Sequence, residues 1–201
     1  MSYVGQFFEE GDNMTEITDL HRRALDSTGR VVAGISADQL GLATPDAEWD
    51  VRALLNHVVG GNLWAAELAS GRTIDQVGDQ LDGDVIGADP AAAYDRSAEA
   101  AAEVFEAPGA LDAPCAVSYG PVPGSVYAGH RFVDVLIHGW DLAKATGQDT
   151  SLDPELVDAC TRVLEPQVEA FRAAGAIGPA MPSAAGDSPQ TKLLAMLGRR
   201  A

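Results

Sequence analysis

The chain has 201 residues, 46% hydrophobic and 21% charged, enough for one sizeable core and incompatible with a mainly disordered protein. Its 30 acidic residues outnumber 13 basic ones, a formal net charge of −17, which disfavours nucleic-acid backbones and anionic membrane surfaces as partners. No run approaches the ~18 apolar residues of a membrane-spanning helix, and MSYVGQFFEEGDN (1–13) has neither the basic nor the apolar region of a signal peptide.

Helical periodicity is strong along the chain and strand alternation is nearly absent. Residues 1–13 are expected to be a disordered extension, followed by one domain over 14–201. A first helix is expected over 15–35, with Thr15 as N-cap and Leu20, Ala24 and Val31 on one side. After a loop over 36–48, a second helix runs from Asp50 to about Ser70. Residues 71–88 form a loop rich in Gly and Asp. A third helix starts at Pro90, a good first-turn position, and continues to about Glu106. Residues 107–124 hold four Pro and three Gly and read as an irregular connection. A fourth helix covers 125–146 and stops before Gly147; a fifth covers 153–174. The Gly/Pro/Ala-rich tail closes with a short helix over 189–197. The sum is an all-α protein, a bundle of four main helices with a short C-terminal addition.

The fourth helix carries the main functional signal. In RFVDVLIHGWDLA (131–143), with His130 just upstream, His130, Asp134, His138 and Asp141 fall within ~80° of one another at 100° per residue. The remaining sector, ~220° wide, is apolar, about twice what a surface helix needs, which makes this helix central. Spacing leaves two readings of the polar strip: the wet side of a thickly packed helix, or a face turned to the interior or a cleft. Asp134 and His138 stand one turn apart, so both can reach one metal ion. Imidazole nitrogen and carboxylate oxygen suit zinc first, and nickel or iron as well. The second helix offers a third ligand: His57 shares a face with Leu54, Gly61, Trp64 and Leu68, and Gly60 and Gly61 leave room for a close neighbour. His57, Asp134 and His138 would leave coordination positions open for water or substrate.

Other candidates carry less. The acidic loop holding Asp75, Asp79, Asp82, Asp84 and Asp89 lacks calcium-loop spacing and reads as solvated. His21, among charges in DLHRRAL, is expected at the surface. Tyr119 and Tyr127 either line a pocket mouth or pack in the core. GPVPG (120–124) lacks the lysine and amide donors of a phosphate loop, and no nucleophile-elbow motif supports Ser/His/Asp catalysis. Cys115 and Cys160 are expected to be small buried hydrophobes in a reducing, cytoplasmic compartment.

Trp49 to His57 reads W-x-V-R-x-L-x-x-H, and Arg131 to Ala143 reads R-x-x-D-x-x-x-H-x-W-D-L-A. Together they resemble the DinB-like superfamily, in particular the metal-binding branch related to the N-terminal domain of mycothiol-dependent maleylpyruvate isomerase. SPQTKLLAMLGR (188–199) resembles that branch's C-terminal signature. The resemblance spans about residues 14–200. It implies an up-down four-helix bundle with one divalent metal on His57, Asp134 and His138, where the isomerase has Glu in place of Asp134. Three-histidine members of the superfamily make His130 an alternative to Asp134; the flanking pattern favours Asp134. Asp141 matches a residue that supports catalysis, and Trp49 and Trp64 would shape the apolar wall for substrate. The isomerase's second domain, which adds an Arg to its site, has no room in this chain, so maleylpyruvate isomerisation itself does not follow.

The implied activity is thiol S-transfer or thiol-assisted isomerisation with a low-molecular-weight thiol such as mycothiol and an electrophilic substrate. The alternative is a non-catalytic metal-binding bundle serving sensing, storage or dimerization, its site closed by a fourth ligand such as His130. A homodimer is compatible with either, though no motif encodes one.

Overall fold

In the computed structural model, which describes residues 12–200, the first helix, α1, spans Asp12–Ala33. It begins before Thr15, which therefore lies inside the helix instead of capping it. Of the expected extension 1–13, residues 1–11 lie outside the described residues. After a short 3-10 turn at Ala37–Gln39, α2 spans Val51–Ala69, its N-terminus capped by Asp50, whose carboxylate accepts from the Ala53 amide. The loop expected over 71–88 contains a one-turn helix, α3 (Ile74–Val77), opened by a Thr73/Gln76 capping box. Helix α4 (Pro90–Glu106) starts with Pro90 at its first position and Asp89 as cap.

The connection before the fourth long helix corrects the sequence reading. Residues 114–123 form an antiparallel hairpin, β1 (Pro114–Val117) and β2 (Gly120–Pro123), with Cys115 opposite Val122 and Val117 opposite Gly120. A two-stranded ribbon consists of edges, where prolines cost no ladder bond, so its Pro/Gly density imitates an irregular loop. Cys115 and Val117 turn inward and anchor it.

Helix α5 (Gly124–Thr146) follows and ends on Gly147, whose φ of 71° is left-handed, as a C-cap requires. The expected fifth helix is two helices, α6 (Pro154–Leu164) and α7 (Val168–Ala173). Pro166 explains the break: it has no amide to donate to the helical ladder, and although Glu165 keeps helical backbone, the chain leaves it at Gln167, whose φ is −126° and ψ 0°. Last comes α8 (Pro189–Met196), capped by Ser188.

The fold is all-helical apart from the hairpin. Helices α1, α2, α4 and α5 each pack on at least two of the others: α1 on α5 and α4, α2 on α4 and α5. Helix α6 sits against α5 and α8. The α5 side chains Phe132, Val135, Leu136, Trp140 and Leu142 are buried nearly all round, which makes α5 the central helix. Gly139 lets α1 approach it closely, since a Cβ there would run into the side chain of Thr28. Among the described residues no helix is long and apolar enough to cross a membrane.

Candidate metal centre

The polar strip of α5 turns inward, toward α2 and the C-terminal segment. Asp141 is 0% exposed, Arg131 is 7% exposed, and Asp134 and His138 are half-buried. Helix α2 brings His57 against them. Its Nε2 lies 3.3 Å from Asp134 Oδ1, and His138 Nε2 lies 3.6 Å from the same oxygen. One ligand atom from each of His57, Asp134 and His138 falls within 4.8 Å of the others. Trp49, just ahead of α2, stacks on the His57 imidazole with ring centroids 4.5 Å apart, and lies 5.9 Å from the His138 ring.

Three further residues complete the surroundings. Arg131 Nη1 donates to Asp134 Oδ2 at 2.9 Å and its Nη2 donates to Asn62 Oδ1 at 3.1 Å. Asn62, fully buried, passes the chain of bonds to Ser97 Oγ. Behind His138, Asp141 Oδ2 lies 3.1 Å from Nδ1, and Arg199 donates to both Asp141 oxygens, at 3.1 and 2.7 Å. Burial pushes the Asp134 carboxyl up, but Arg131, His138 and His57 outweigh it and hold the group well below the usual carboxylate range. Burial also raises Asp141, and His138 and Arg199 again outweigh it.

This donor set fits a divalent metal ion. An ionised Asp141 can only accept, so His138 Nδ1 donates to it and the lone pair sits on Nε2, facing Asp134 Oδ1. Two lone pairs turned on one another call for a proton or a cation between them. A carboxylate behind a histidine is also the usual outer support of a metal-ligating imidazole.

The sequence-derived candidates therefore separate. His57, Asp134, His138 and Trp49 come together. Asp141 is shielded from solvent and touches the cluster only through His138, which makes it a positioning residue. Trp64 lies two turns, about 10 Å, further along α2, packed against the core. His130 stands apart: Tyr119 Oη is 2.7 Å from its Nδ1 and Gln167 Oε1 is 3.0 Å from its Nε2, so both ring nitrogens are engaged. Tyr119 is exposed and Tyr127 packs in the core against Phe105.

His21 corrects the sequence reading. It is 1% exposed, edge-on to Phe105 at 5.4 Å. Its charged neighbours point elsewhere, Arg22 to Glu106 and Arg23 to Asp153 and Glu155. His21 shares instead the buried face of Ile17, Leu20, Ala24, Leu25 and Thr28, a periodicity that local charge had masked. Cys115 and Cys160 are buried and free, as expected, and burial pushes both thiols up, away from nucleophilic use.

Sequence reading left three residues without a role. Arg131 stands three before Asp134, a helix-neighbour spacing that could have flagged the pair. Gly61 made room, as expected, and the neighbour it admits is the Arg131 guanidinium, which a Cβ there would strike. Asn62 and Arg199 gave no local signal; Arg199 meets Asp141 across 58 residues of chain.

Fold and site together define a mostly helical protein with a His/Asp/His constellation held between two of its long helices. The chain belongs to the mycothiol maleylpyruvate isomerase N-terminal domain family, whose model matches residues 21–143. That match contains His57, Asp134, His138 and Asp141 and ends before Arg199. Two relatives from Mycobacterium tuberculosis, the uncharacterized proteins MT0763 (strain CDC 1551) and Rv0738 (strain H37Rv), are each 44% identical over 136 residues, 68% of this chain and 70% of theirs. No solved structure matches.

Proposed function

We propose that this chain binds one divalent transition metal ion through His57, Asp134 and His138, zinc before nickel or iron. In this reading it uses the ion in thiol S-transfer or thiol-assisted isomerisation with a low-molecular-weight thiol such as mycothiol. The observation that carries the reading is the convergence of the three ligand atoms within 4.8 Å. When bound, such an ion would act as a Lewis acid that lowers the pKa of a thiol. The chain's own residues prepare for it: Asp141 holds His138 in the tautomer with Nε2 free, and Arg131 fixes Asp134. Trp49 covers one side of His57 and would form part of the apolar wall for the substrate, with Trp64 further along α2.

His130 bears on the choice between catalytic and closed sites. Its two nitrogens are satisfied by Tyr119 and Gln167, which supports a three-residue set with open positions over a sealed storage or sensing site. The pairwise packing of the four long helices supports an up-down four-helix bundle, with residues 14–201 as one metal-binding domain. Two free, buried cysteines suit a cytoplasmic protein.

The test is metal content by mass spectrometry on protein purified without chelator. About one equivalent per chain is expected, lost in His57→Ala with helix content unchanged by circular dichroism. Metal retained at full stoichiometry in that variant refutes the ligand set. A metal-loaded protein that neither forms an S-conjugate nor isomerises the electrophile across a panel of thiols and electrophiles refutes the enzymatic part.

A further inference from the structure

Each carboxylate of the centre has its own arginine. Arg131 pairs with Asp134 Oδ2, leaving Oδ1 to the two histidines. Arg199 grips both oxygens of Asp141. Both contacts are sheltered, so water screens them weakly, and guanidinium groups stay protonated at every working pH. Counted over these four side chains, two negative charges meet two positive ones and the sum is zero. Asp46, ahead of α2, adds a further negative charge that acts on Arg199. The two imidazoles add no charge when they serve as ligands.

Arg131 is placed to do this. It is buried, its second amino group is tied to Asn62, and Asn62 is tied to Ser97. Gly61 is the seat of the guanidinium, since any side chain at that position would displace it. A buried arginine beside a cation-binding cluster opposes cation binding, and tying α5 to α2 through Asn62 needs its hydrogen bonds but not its charge. That charge bears on what the loaded site binds.

Resting on the metal reading above, we propose that Arg131 is a positioning residue that confines Asp134 to one ligand oxygen and cancels its charge. A divalent ion in this centre would then keep its double positive charge and take an anionic donor, a thiolate or a carboxylate, as its further ligand. Arg131 thereby trades metal affinity for affinity toward that anion.

The test uses full-length protein loaded with cobalt(II), whose visible bands report both metal uptake and added ligands, and azide as the probe anion. In Arg131→Gln, cobalt should bind about tenfold more tightly or better, and azide about tenfold more weakly or worse, the scale on which a charge within ~4–6 Å shifts an ionisation. Gly61→Ala, which evicts the guanidinium without removing it from the chain, should move both constants the same way and guards against misfolding of the first variant. Arg131→Lys keeps the charge and should keep azide affinity within about threefold of wild type, a distinction that a purely structural role would not produce. Either constant staying within threefold of wild type in both Arg131→Gln and Gly61→Ala overturns the proposal. Absence of cobalt bands in the wild type overturns the metal reading, and this inference with it; normal bands with insensitive constants overturn this inference alone.

Discussion

Arg199 and Asp141 meet at 2.7 Å although 58 residues separate them, and the contact ties the C-terminal segment to the back of His138. Asp141 is fully buried, so removing its cation leaves a desolvated carboxylate with one histidine partner. Arg199→Met should cost about 3 kcal/mol in urea unfolding, near the lower end for breaking a buried pair. It should also weaken metal binding about tenfold or more, because the support that orients a ligating imidazole is loosened. A variant with wild-type stability and metal affinity would show that the tail merely rests on the site.

His130 separates two ligand sets that the sequence left open. If Asp134 is the ligand, His130→Ala should leave metal stoichiometry unchanged, while Asp134→Asn should reduce affinity by an order of magnitude or more. The loss in His130→Ala should fall instead on the hairpin, since Tyr119 gives up its partner. Hydrogen exchange over residues 114–123 should speed up in that variant, with α2 and the C-terminal half of α5 unaffected. Metal lost with His130 would reverse the assignment.

Most helices were legible because their signals are local. Asp50, Asp89 and Pro90, and Gly147 mark ends through capping chemistry that needs no tertiary partner. His57, Asp134 and His138 were legible through helical spacing and a motif resemblance. The hairpin was not, because prolines on a two-stranded ribbon look like loop residues. His21 was not, because Arg22 and Arg23 mask a buried position with charge that points away. Arg199 was beyond reach for a different reason: its pairing with Asp141 exists only once α8 has packed beside α6. Local physics therefore supplied the candidate ligands, and tertiary contacts supplied the groups around them.

Gly139 lies where α1 comes close to the central helix. Thr28 there is 2% exposed and its hydroxyl donates to the Val135 carbonyl at 3.0 Å. A Cβ at 139 would meet the Thr28 side chain, so Gly139→Ala should destabilise by about 1–3 kcal/mol through overpacking, despite the better helix propensity of alanine. Adding Thr28→Ala should recover part of that loss, giving a coupling energy of opposite sign to the single effects. Thermal unfolding of the four proteins of the cycle would measure it. Additive losses would mean that the helices shift apart without Thr28 being the obstacle.

His21 should make this protein acid-sensitive in a window that carboxylates do not cover. Burial, with lesser contributions from Arg131 and Arg22, lowers its pKa from 6.5 to about 3, and its Nε2 is buried without a hydrogen-bond partner. Above pH 6.5 the ring is neutral in both folded and unfolded chains, so stability there does not depend on its titration. As pH falls through 6.5 the unfolded chain binds a proton that the folded one refuses until about pH 3. Stability should therefore drop across that window, with a slope reaching about 1.4 kcal/mol per pH unit from this residue. His130, also lowered by burial, adds to the same limb, so the comparison must be between variants. Asp134 and Asp141 act lower down, since carboxyls held below their ordinary 3.8 cost stability only as pH falls past that value. His21→Leu keeps an apolar group against Phe105 and removes the orphaned nitrogen, so it should be near wild type at pH 8. Between pH 6 and pH 4.5 its urea-unfolding free energy should fall more slowly than that of wild type by about 1 kcal/mol per unit. Parallel slopes would mean that the folded protein admits a proton at His21, and that the packing around Phe105 opens to let it in.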